Sequence, residues 1–209
     1  MKANGVDVQF RVNIAKFNNS CNFEELLDIL IANGFGGCDV RIGQIVEYSD
    51  KCSKIAGQCF SNKEMATEFA KYYKLLVKKG FMLNSRAKQA YFPRLKAHFC
   101  GADNNNSFVI DPSGNLYKCW VKIGEIAHSF GNIKDFKNMK IISTHKENIE
   151  YITWSPFDHK ECLECTALPF CMGGCPHEAK KKNGKPDCIN FKYNLVDMLK
   201  IYCDQVANV

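Results

Sequence analysis

Seven of the twelve cysteines in this 209-residue chain lie between residues 100 and 188, and their spacing constrains the fold more than any other feature. The densest part reads Cys162-x2-Cys165-x5-Cys171-x3-Cys175. A gap of two residues lets a tight turn direct both thiolates at one metal site, and four converging thiolates suit a zinc ion or an iron–sulfur cluster. The spacing of this array alone leaves both possibilities open.

The other five cysteines match no metal-binding spacing, and we expect them to be buried or free thiols: Cys21, Cys38, Cys52, Cys59 and Cys203. The N-terminal residues do not include the apolar stretch of a secretory signal, and the chain lacks an apolar run of about 18 residues for a membrane span. We therefore predict a cytoplasmic protein with no membrane association. Its reduced thiols would then serve metal or redox chemistry and would not form a disulfide framework.

The charge and composition are those of a globular protein without a nucleic-acid partner. Hydrophobic residues make up 46% of the chain and aromatic residues 12%, which is enough to sustain a core. The net charge is +6, and its densest basic run is Lys180–Lys182, followed by Lys185. We interpret this run as a solvated loop, because a nucleic-acid surface would need interleaved aromatic residues and a wider basic face.

The first 80 residues follow a β-α-β-loop-α order. Polar and apolar residues alternate over residues 6–14 and again over about 38–46, which predicts two strands. Helices begin after Asn22 and after Ser61, and Glu64 completes a capping box with that serine. This order predicts parallel strands with a crossover helix. The polar strand faces indicate either an active-site lumen or a half-exposed sheet, since buried parallel strands are almost continuously apolar.

A different pattern follows from about residue 98. The segments 107–111 and 116–120 flank Pro112-Ser113-Gly114, which predicts a β-hairpin. Cysteine-rich loops come next, and an amphipathic helix is predicted over about 191–206. We interpret His98, His159 and His177 as loop histidines, and Trp120 as packing that shields a metal site from water.

The order of all seven cysteines resembles one particular module. Cys100-x13-Gly114-x4-Cys119 is followed by a gap of 42 residues, the four-cysteine array, and Cys188 after a further 12 residues. This order resembles the SPASM domain, the auxiliary-cluster module of many radical S-adenosylmethionine enzymes that modify peptides and proteins. The surrounding words VIDPSGNLYKCW and LPFCMGGCP fit the same resemblance.

The resemblance implies two [4Fe–4S] clusters ligated in a crossed pattern. It assigns three cysteines to the first cluster and leaves one iron open: Cys100, Cys119 and Cys175. It assigns four cysteines to the second: Cys162, Cys165, Cys171 and Cys188. Zinc remains the alternative occupant of these thiols.

The strand VQFRVNIAKFNN resembles a late strand of the partial barrel in the same enzymes. There, an Arg-x-Asn pair faces S-adenosylmethionine, which assigns Arg11 and Asn13 to cofactor binding. The implied fold is an α/β fragment of a partial (β/α) barrel over residues 1–97. A SPASM domain with a β-hairpin, cysteine-rich loops and a C-terminal helix would follow over residues 98–209.

The implied function is that of the auxiliary-cluster half of a peptide-modifying radical enzyme. The Cys-x3-Cys-x2-Cys motif of the radical cluster does not occur in the sequence, so we do not expect this chain alone to cleave S-adenosylmethionine. Trp120 stands where sulfatase-maturing relatives have an acidic catalytic residue, which favours other chemistry such as thioether formation and leaves the catalytic residue unassigned.

The expected partners are a peptide or protein substrate and either a separate radical-cluster subunit or a second copy of the chain at an exposed barrel edge. Two alternatives stay open. One is a non-catalytic peptide-binding module, and the other is a zinc-stabilised cysteine-rich domain.

Overall fold

The structure is a computed structural model that describes residues 5–19, 21–81, 93–138 and 145–207. The chain divides into two compact units. The first contains residues 1–94 and 190–209, and the second contains residues 95–189.

In the described part of the first unit there are two strands and three α-helices. In chain order these are β1 (Gln9–Ile14), α1 (Phe23–Leu30), β2 (Asp39–Gln44), α2 (Asn62–Lys78) and α7 (Phe191–Ala207). Shorter helical turns join them: Lys16–Asn18, Ile31–Phe35 and Asp50–Gln58.

β1 and β2 pair in parallel, with Val12 opposite Ile42. Val40, Ile42 and Ile14 lie in the hydrophobic core, which also buries Leu27 of α1 and Tyr73 of α2. Along β1, the alternate residues Gln9, Arg11 and Asn13 remain exposed. The predicted β-α-β order with parallel strands is therefore confirmed, and the ladder is shorter than the alternating segments.

The two predicted helix starts are confirmed. Asn22 caps α1, because its side-chain oxygen accepts the N–H of Glu25 at 3.1 Å. Ser61 caps α2 through a capping box, in which its hydroxyl accepts the Glu64 N–H at 3.2 Å and its own N–H donates to the Glu64 carboxylate at 2.8 Å. These local bonds satisfy amides that the first helical turn leaves unpaired.

The last helix, α7, packs with the first unit. Met198 and Ile201 of α7 are buried in the same core as β1 and β2. Asn194 is also buried, and its side-chain amide donates to the carbonyl oxygen of Ala66 on α2 at 2.8 Å. α7 is thus a distant part of the sequence that completes the first unit.

This packing differs from the domain boundaries expected from the sequence. The expected boundaries place the helix with the cysteines in residues 98–209, whereas the chain divides after residues 94 and 189. Leu199 and Tyr202, which helical periodicity places with the apolar residues, are exposed at 38% and 40%. Periodicity identifies an apolar stripe but not the element that covers it.

The second unit consists of short elements. In chain order these are β3 (Val109–Ile110), β4 (Leu116–Tyr117), α3 (Lys146–Ile152), α4 (Lys160–Leu163), α5 (Leu168–Cys171) and α6 (Pro176–Lys181). Short turns of 3₁₀ geometry lie among them in the described residues: Gly101–Asp103, Trp120–Lys122, Ile126–His128, Ile133–Asn138 and Pro156–Asp158.

The predicted hairpin is confirmed. β3 and β4 pair antiparallel, with Val109 opposite Tyr117. Gly114 has φ +86°, a conformation that glycine adopts without steric cost. The Asp111 carboxylate accepts the N–H groups of Ser113 and Asn115 at 2.8 and 2.9 Å, which closes the turn.

The α/β class is therefore observed, whereas the barrel stays a prediction. Within the described ranges the structure has one parallel and one antiparallel sheet, each of two strands. Among the described helices, none has the length and apolar character that a membrane span requires. All twelve cysteines lie in the described ranges, and none of them forms a disulfide bond.

Candidate metal centre

A first group of thiols comprises Cys100, Cys119 and Cys175, from three separate parts of the second unit. Cys100 precedes a 3₁₀ turn, Cys119 follows β4, and Cys175 precedes the first residue of α6. Ionised thiols in this group repel one another, since Cys100 interacts with Cys119, Cys119 with Cys175, and Cys175 with Cys100. The fold thus brings together three cysteines that are far apart in sequence.

A second group comprises Cys162, Cys165, Cys171 and Cys188. The Cys162 thiol interacts electrostatically with each of the other three, and Cys171 interacts with Cys165 and Cys188. Cys162 lies in α4 and Cys171 ends α5, so short helices and tight turns space the first three along the chain. A backbone contact brings Cys188 close to these three cysteines.

Gly173 and Gly174 make that contact with the segment that carries Cys188. The N–H of Asp187 donates to the Gly173 carbonyl oxygen at 3.0 Å. Gly174 has φ +83°, and a Cβ at this position would overlap the carbonyl oxygen of Asp187. On Gly173, a Cβ would press against the ring of Trp154. The two glycines therefore allow the backbones to lie in direct contact.

Burial and backbone amides have opposite effects on the pKa values of the thiols in the first group. Burial raises the pKa of all three thiols, because it disfavours the charged thiolate. Backbone N–H groups that donate to the sulfurs lower the pKa values: Ala102 to Cys100 at 3.3 Å, Val121 to Cys119, and Glu178 and His177 to Cys175. Such N–H···S bonds stabilise thiolate ligands and tune a bound metal group.

In the second group, burial and a backbone amide again have opposite effects on thiol pKa values. Burial, followed by repulsion from the Cys171 and Cys188 thiolates, raises the pKa of Cys162 to about 11. Burial also raises the pKa of Cys171, against the lowering effect of the Gly173 N–H. Thiols like these ionise readily only when a cation takes the place of the proton.

The donor set fits a thiolate-ligated metal group. All the cysteines of both groups except the exposed Cys100 are buried or half-buried, and backbone amides point at sulfurs in each group. Over the parts of the chain that the structure describes, no group of three or more His, Cys, Asp and Glu side chains has the geometry to hold a metal ion directly. Within each group the thiols are neighbours, but in the described residues they do not surround a single metal position.

Tyr151 and His177 lie against the first group, although no sequence motif indicated this placement. Tyr151 on α3 is buried and packs against Cys119. Its oxygen lies 3.1 Å from Nδ1 of His177. The interpretation of His177 as a loop histidine is wrong, since it lies in the first turn of α6 and is buried.

Lys118 is another side chain beside the first group that no sequence motif indicated. It is buried, and its ammonium donates to the carbonyl oxygens of Asn104 and Ser107 at 2.5 and 3.1 Å. Burial lowers the pKa of Lys118, against an opposing attraction from Asp103 and Cys100. The sequence places Lys118 next to Cys119. A lysine between a strand and a cysteine nevertheless gives no reason to expect burial.

Two expectations about single residues need correction. Trp120 is 59% exposed, so it does not provide the buried packing expected beside Cys119. Lys180 and Lys181 lie on α6 and not in a loop, and Lys180 forms ion pairs with Glu147 and Glu150 at 3.5 and 2.5 Å. His98 lies outside the helices and is exposed, as expected.

Arg11 and Asn13, the predicted cofactor-binding pair, are exposed on β1 of the first unit. Nε of Arg11 donates to Oδ1 of Asn13 at 2.9 Å. Gly43 lies opposite Asn13 on β2, where a Cβ would meet both side chains. On the same face, buried Asp39 accepts from Nε of Arg41 at 3.1 Å. The strand pairing therefore forms one polar face with Arg11 and Asn13 side by side.

Comparison with known proteins identifies this fold. No family model matches the sequence, and no curated protein matches it significantly. Among solved structures, native anSMEcpe with bound AdoMet and Kp18Cys peptide matches with a TM-score of 0.61 and 15% identity, over 99% of this chain and 58% of that chain. Native anSMEcpe with bound AdoMet gives the same TM-score of 0.61 and 15% identity, over 99% and 58%.

The chain has the fold of part of an anaerobic sulfatase-maturating enzyme. The predicted resemblance to a radical S-adenosylmethionine maturase is thus confirmed at the level of the fold. This chain spans a little over half the length of the anSMEcpe chains that it matches.

Proposed function

We propose that this chain is the auxiliary iron–sulfur region of a radical S-adenosylmethionine enzyme that modifies a peptide or protein. Its second unit would be a SPASM domain with two [4Fe–4S] clusters. The observation that supports this most directly is the grouping of the thiols. Cys100, Cys119 and Cys175 interact in one group, and the other group comprises the remaining four cysteines of the motif.

The two groups would ligate their clusters differently. The second has four thiolates and would complete the ligation of a cubane cluster: Cys162, Cys165, Cys171 and Cys188. The first has three and would leave one iron for a water molecule, a non-cysteine side chain or a substrate group. The backbone N–H groups that point at the sulfurs support cluster binding, because they favour thiolates and moderate the charge of a cluster.

When bound, the clusters would transfer electrons or anchor the substrate. The chain itself contributes burial of Cys119, Cys162 and Cys171, and the close backbone contact of Gly174 with Asp187 holds the loop of Cys188 in position. Cytoplasmic localisation, where cluster assembly and free thiols are compatible, belongs to this proposal.

The radical cluster would come from another polypeptide or from another part of a longer protein, because the sequence contains no Cys-x3-Cys-x2-Cys. Arg11 and Asn13 would then contact S-adenosylmethionine in the completed enzyme. Their exposure on one polar strand face supports this role. A peptide substrate is proposed from the anSMEcpe structures, which include one with bound AdoMet and a Cp18Cys peptide.

Iron and sulfide analysis of the anaerobically purified protein tests this proposal. We expect about eight irons and eight sulfides per chain, with broad absorption in the visible range. Cys100→Ala and Cys165→Ala should each remove about four irons, whereas Cys203→Ala, at an exposed thiol outside both groups, should remove none. Stoichiometric zinc without visible absorption would overturn the proposal and favour a zinc-stabilised domain.

A further inference from the structure

Cys100 differs from the other two cysteines of the first group in its exposure. It is an exposed residue, whereas Cys119 is buried and Cys175 is half-buried. An exposed side chain changes rotamer within nanoseconds unless other contacts hold it, so apolar packing does not fix the Cys100 sulfur. Its orientation depends on hydrogen bonds in the loop that follows.

Asp103 holds the backbone that leads into Cys100. Oδ1 of its carboxylate accepts the Cys100 N–H at 3.1 Å, and Oδ2 accepts the Phe99 N–H at 2.8 Å. The Cys100 sulfur in turn accepts the N–H of Ala102 at 3.3 Å. Together these bonds form a capping box in which a cysteine takes the place of the usual serine or threonine. Because the carboxylate is charged, its two hydrogen bonds are stronger than bonds between neutral groups.

The far end of the same loop is held as well. The side chain of Ser107 lies over Gly101, where a Cβ would come within 2.5 Å of the serine oxygen. The buried Lys118 ammonium donates to the carbonyl oxygens of Asn104 and Ser107, and the Asn104 N–H donates to the Gly101 carbonyl oxygen at 3.2 Å. These contacts close the loop of residues 100–107 on itself, so the bonds of Asp103 act within a fixed backbone.

Ala102 connects this loop with the rest of the first group. It is buried, and it packs in one apolar cluster with Cys119 and Tyr151. Its backbone N–H is also the donor to the Cys100 sulfur. The direction of that sulfur and its placement on the side of Cys119 therefore depend on one short turn, Gly101–Asp103, which Asp103 closes.

We propose that Asp103 is a positioning residue for the first cluster, and that it acts by holding Cys100 in the orientation in which its thiolate ligates iron. This rests on the proposed presence of that cluster. Side chains that orient a ligand through hydrogen bonds typically change metal affinity by about 10-fold to 100-fold. The effect should be large for Cys100, because water and chelators reach an exposed ligand more easily than a buried one.

Iron release to the ferrous chelator bathophenanthroline disulfonate tests this on the anaerobically purified full chain. In the Cys165→Ala background only the first group is complete, so the remaining iron belongs to the first cluster. There, Asp103→Ala should speed iron release about 10-fold to 100-fold. Asp103→Asn keeps an acceptor oxygen for the Cys100 N–H and should restore most of the retention. In the Cys100→Ala background, where only the second group is complete, Asp103→Ala should leave the rate unchanged.

Glu64→Ala is the matched control, because Glu64 closes the capping box of α2 in the first unit, and it should change the release from neither cluster. Three results would overturn this inference alone. They are an unchanged first-cluster rate in Asp103→Ala, an equal acceleration at the second cluster, which would indicate a general loss of folding, and release from Asp103→Asn as fast as from Asp103→Ala. A lack of iron in the unsubstituted protein would overturn the proposed function and this inference with it.

Discussion

The backbone N–H of Asp187 donates to the carbonyl oxygen of Gly173 at 3.0 Å, and this bond joins two loops of the second unit that the sequence separates by 14 positions. The segment of Cys188 is thereby held beside the array that contains Cys171. The hydrogen bond requires the adjacent residue, Gly174, to have no side chain.

Gly174→Ala should therefore destabilise the protein more than an equivalent change elsewhere. The left-handed conformation alone costs an alanine about 1–2 kcal/mol, and the overlap with the Asp187 carbonyl adds to this cost. Gly124→Ala is the control, because Gly124 has φ +84° and its Cβ would meet nothing within 4 Å. The midpoints of denaturant unfolding measure the difference, and equal losses in the two variants would contradict this packing.

Alkylation rates test the buried environment of Cys162. In the metal-free protein its pKa of about 11, against an ordinary 9.0, predicts about 100-fold less thiolate at pH 8 than an ordinary thiol has. Iodoacetamide should therefore modify Cys162 far more slowly than exposed Cys203, as peptide mass spectrometry can follow. The Cys162 rate should rise about 30-fold from pH 8 to 9.5, and a rate that levels off in this interval would contradict the raised pKa.

Lys118→Met tests the buried lysine that supports the loop of Cys100. The ammonium donates to the carbonyl oxygens of Asn104 and Ser107, and methionine leaves both without this donor. We expect a loss of about 2 kcal/mol in the free energy of unfolding. The control is Lys134→Met at an exposed position, which should change stability by less than about 0.5 kcal/mol. Equal stability of the two variants would disprove a structural role for Lys118.

The capping box of α2 predicts a pH dependence. The Ser61 N–H, its hydroxyl and Lys16 hold the pKa of Glu64 at about 2 in the folded chain, against 4.5 when unfolded. The stabilisation is present above pH 4.5 and is lost as the pH falls towards 2. Glu64→Gln should reduce the fall in stability over this interval, whereas Ser61→Ala should cost about 1 kcal/mol at neutral pH. Denaturant unfolding at pH 6 and pH 3 measures both, and a parallel fall in Glu64→Gln and the unsubstituted protein would contradict the assignment.

Local elements of the fold were predictable because short-range interactions produce them. The caps at Asn22 and Ser61 involve residues three positions apart, and the hairpin around Gly114 is closed by the neighbouring Asp111. The two parallel strands followed from alternating apolar residues. The grouping of the motif cysteines was predicted from the resemblance and not from their spacing, since the spacing of an array does not identify its distant members.

The long-range packing was not predictable in the same way. The helix from Phe191 to Ala207 joined the first unit because Asn194, Met198 and Ile201 meet α2 and the core, and an apolar stripe does not specify its partner. His177 was misassigned because a histidine after a proline carries no sign of burial in sequence.

The sequence by itself determined the cysteine order, the strand–helix alternation and the turn and cap residues, all of which depend on neighbours along the chain. Tertiary structure alone decided that Tyr151 and His177 meet beside Cys119, that Lys118 is buried, and that the last helix returns to the first unit. These contacts depend on which surfaces exclude water together, and that free energy is shared among residues far apart in the chain.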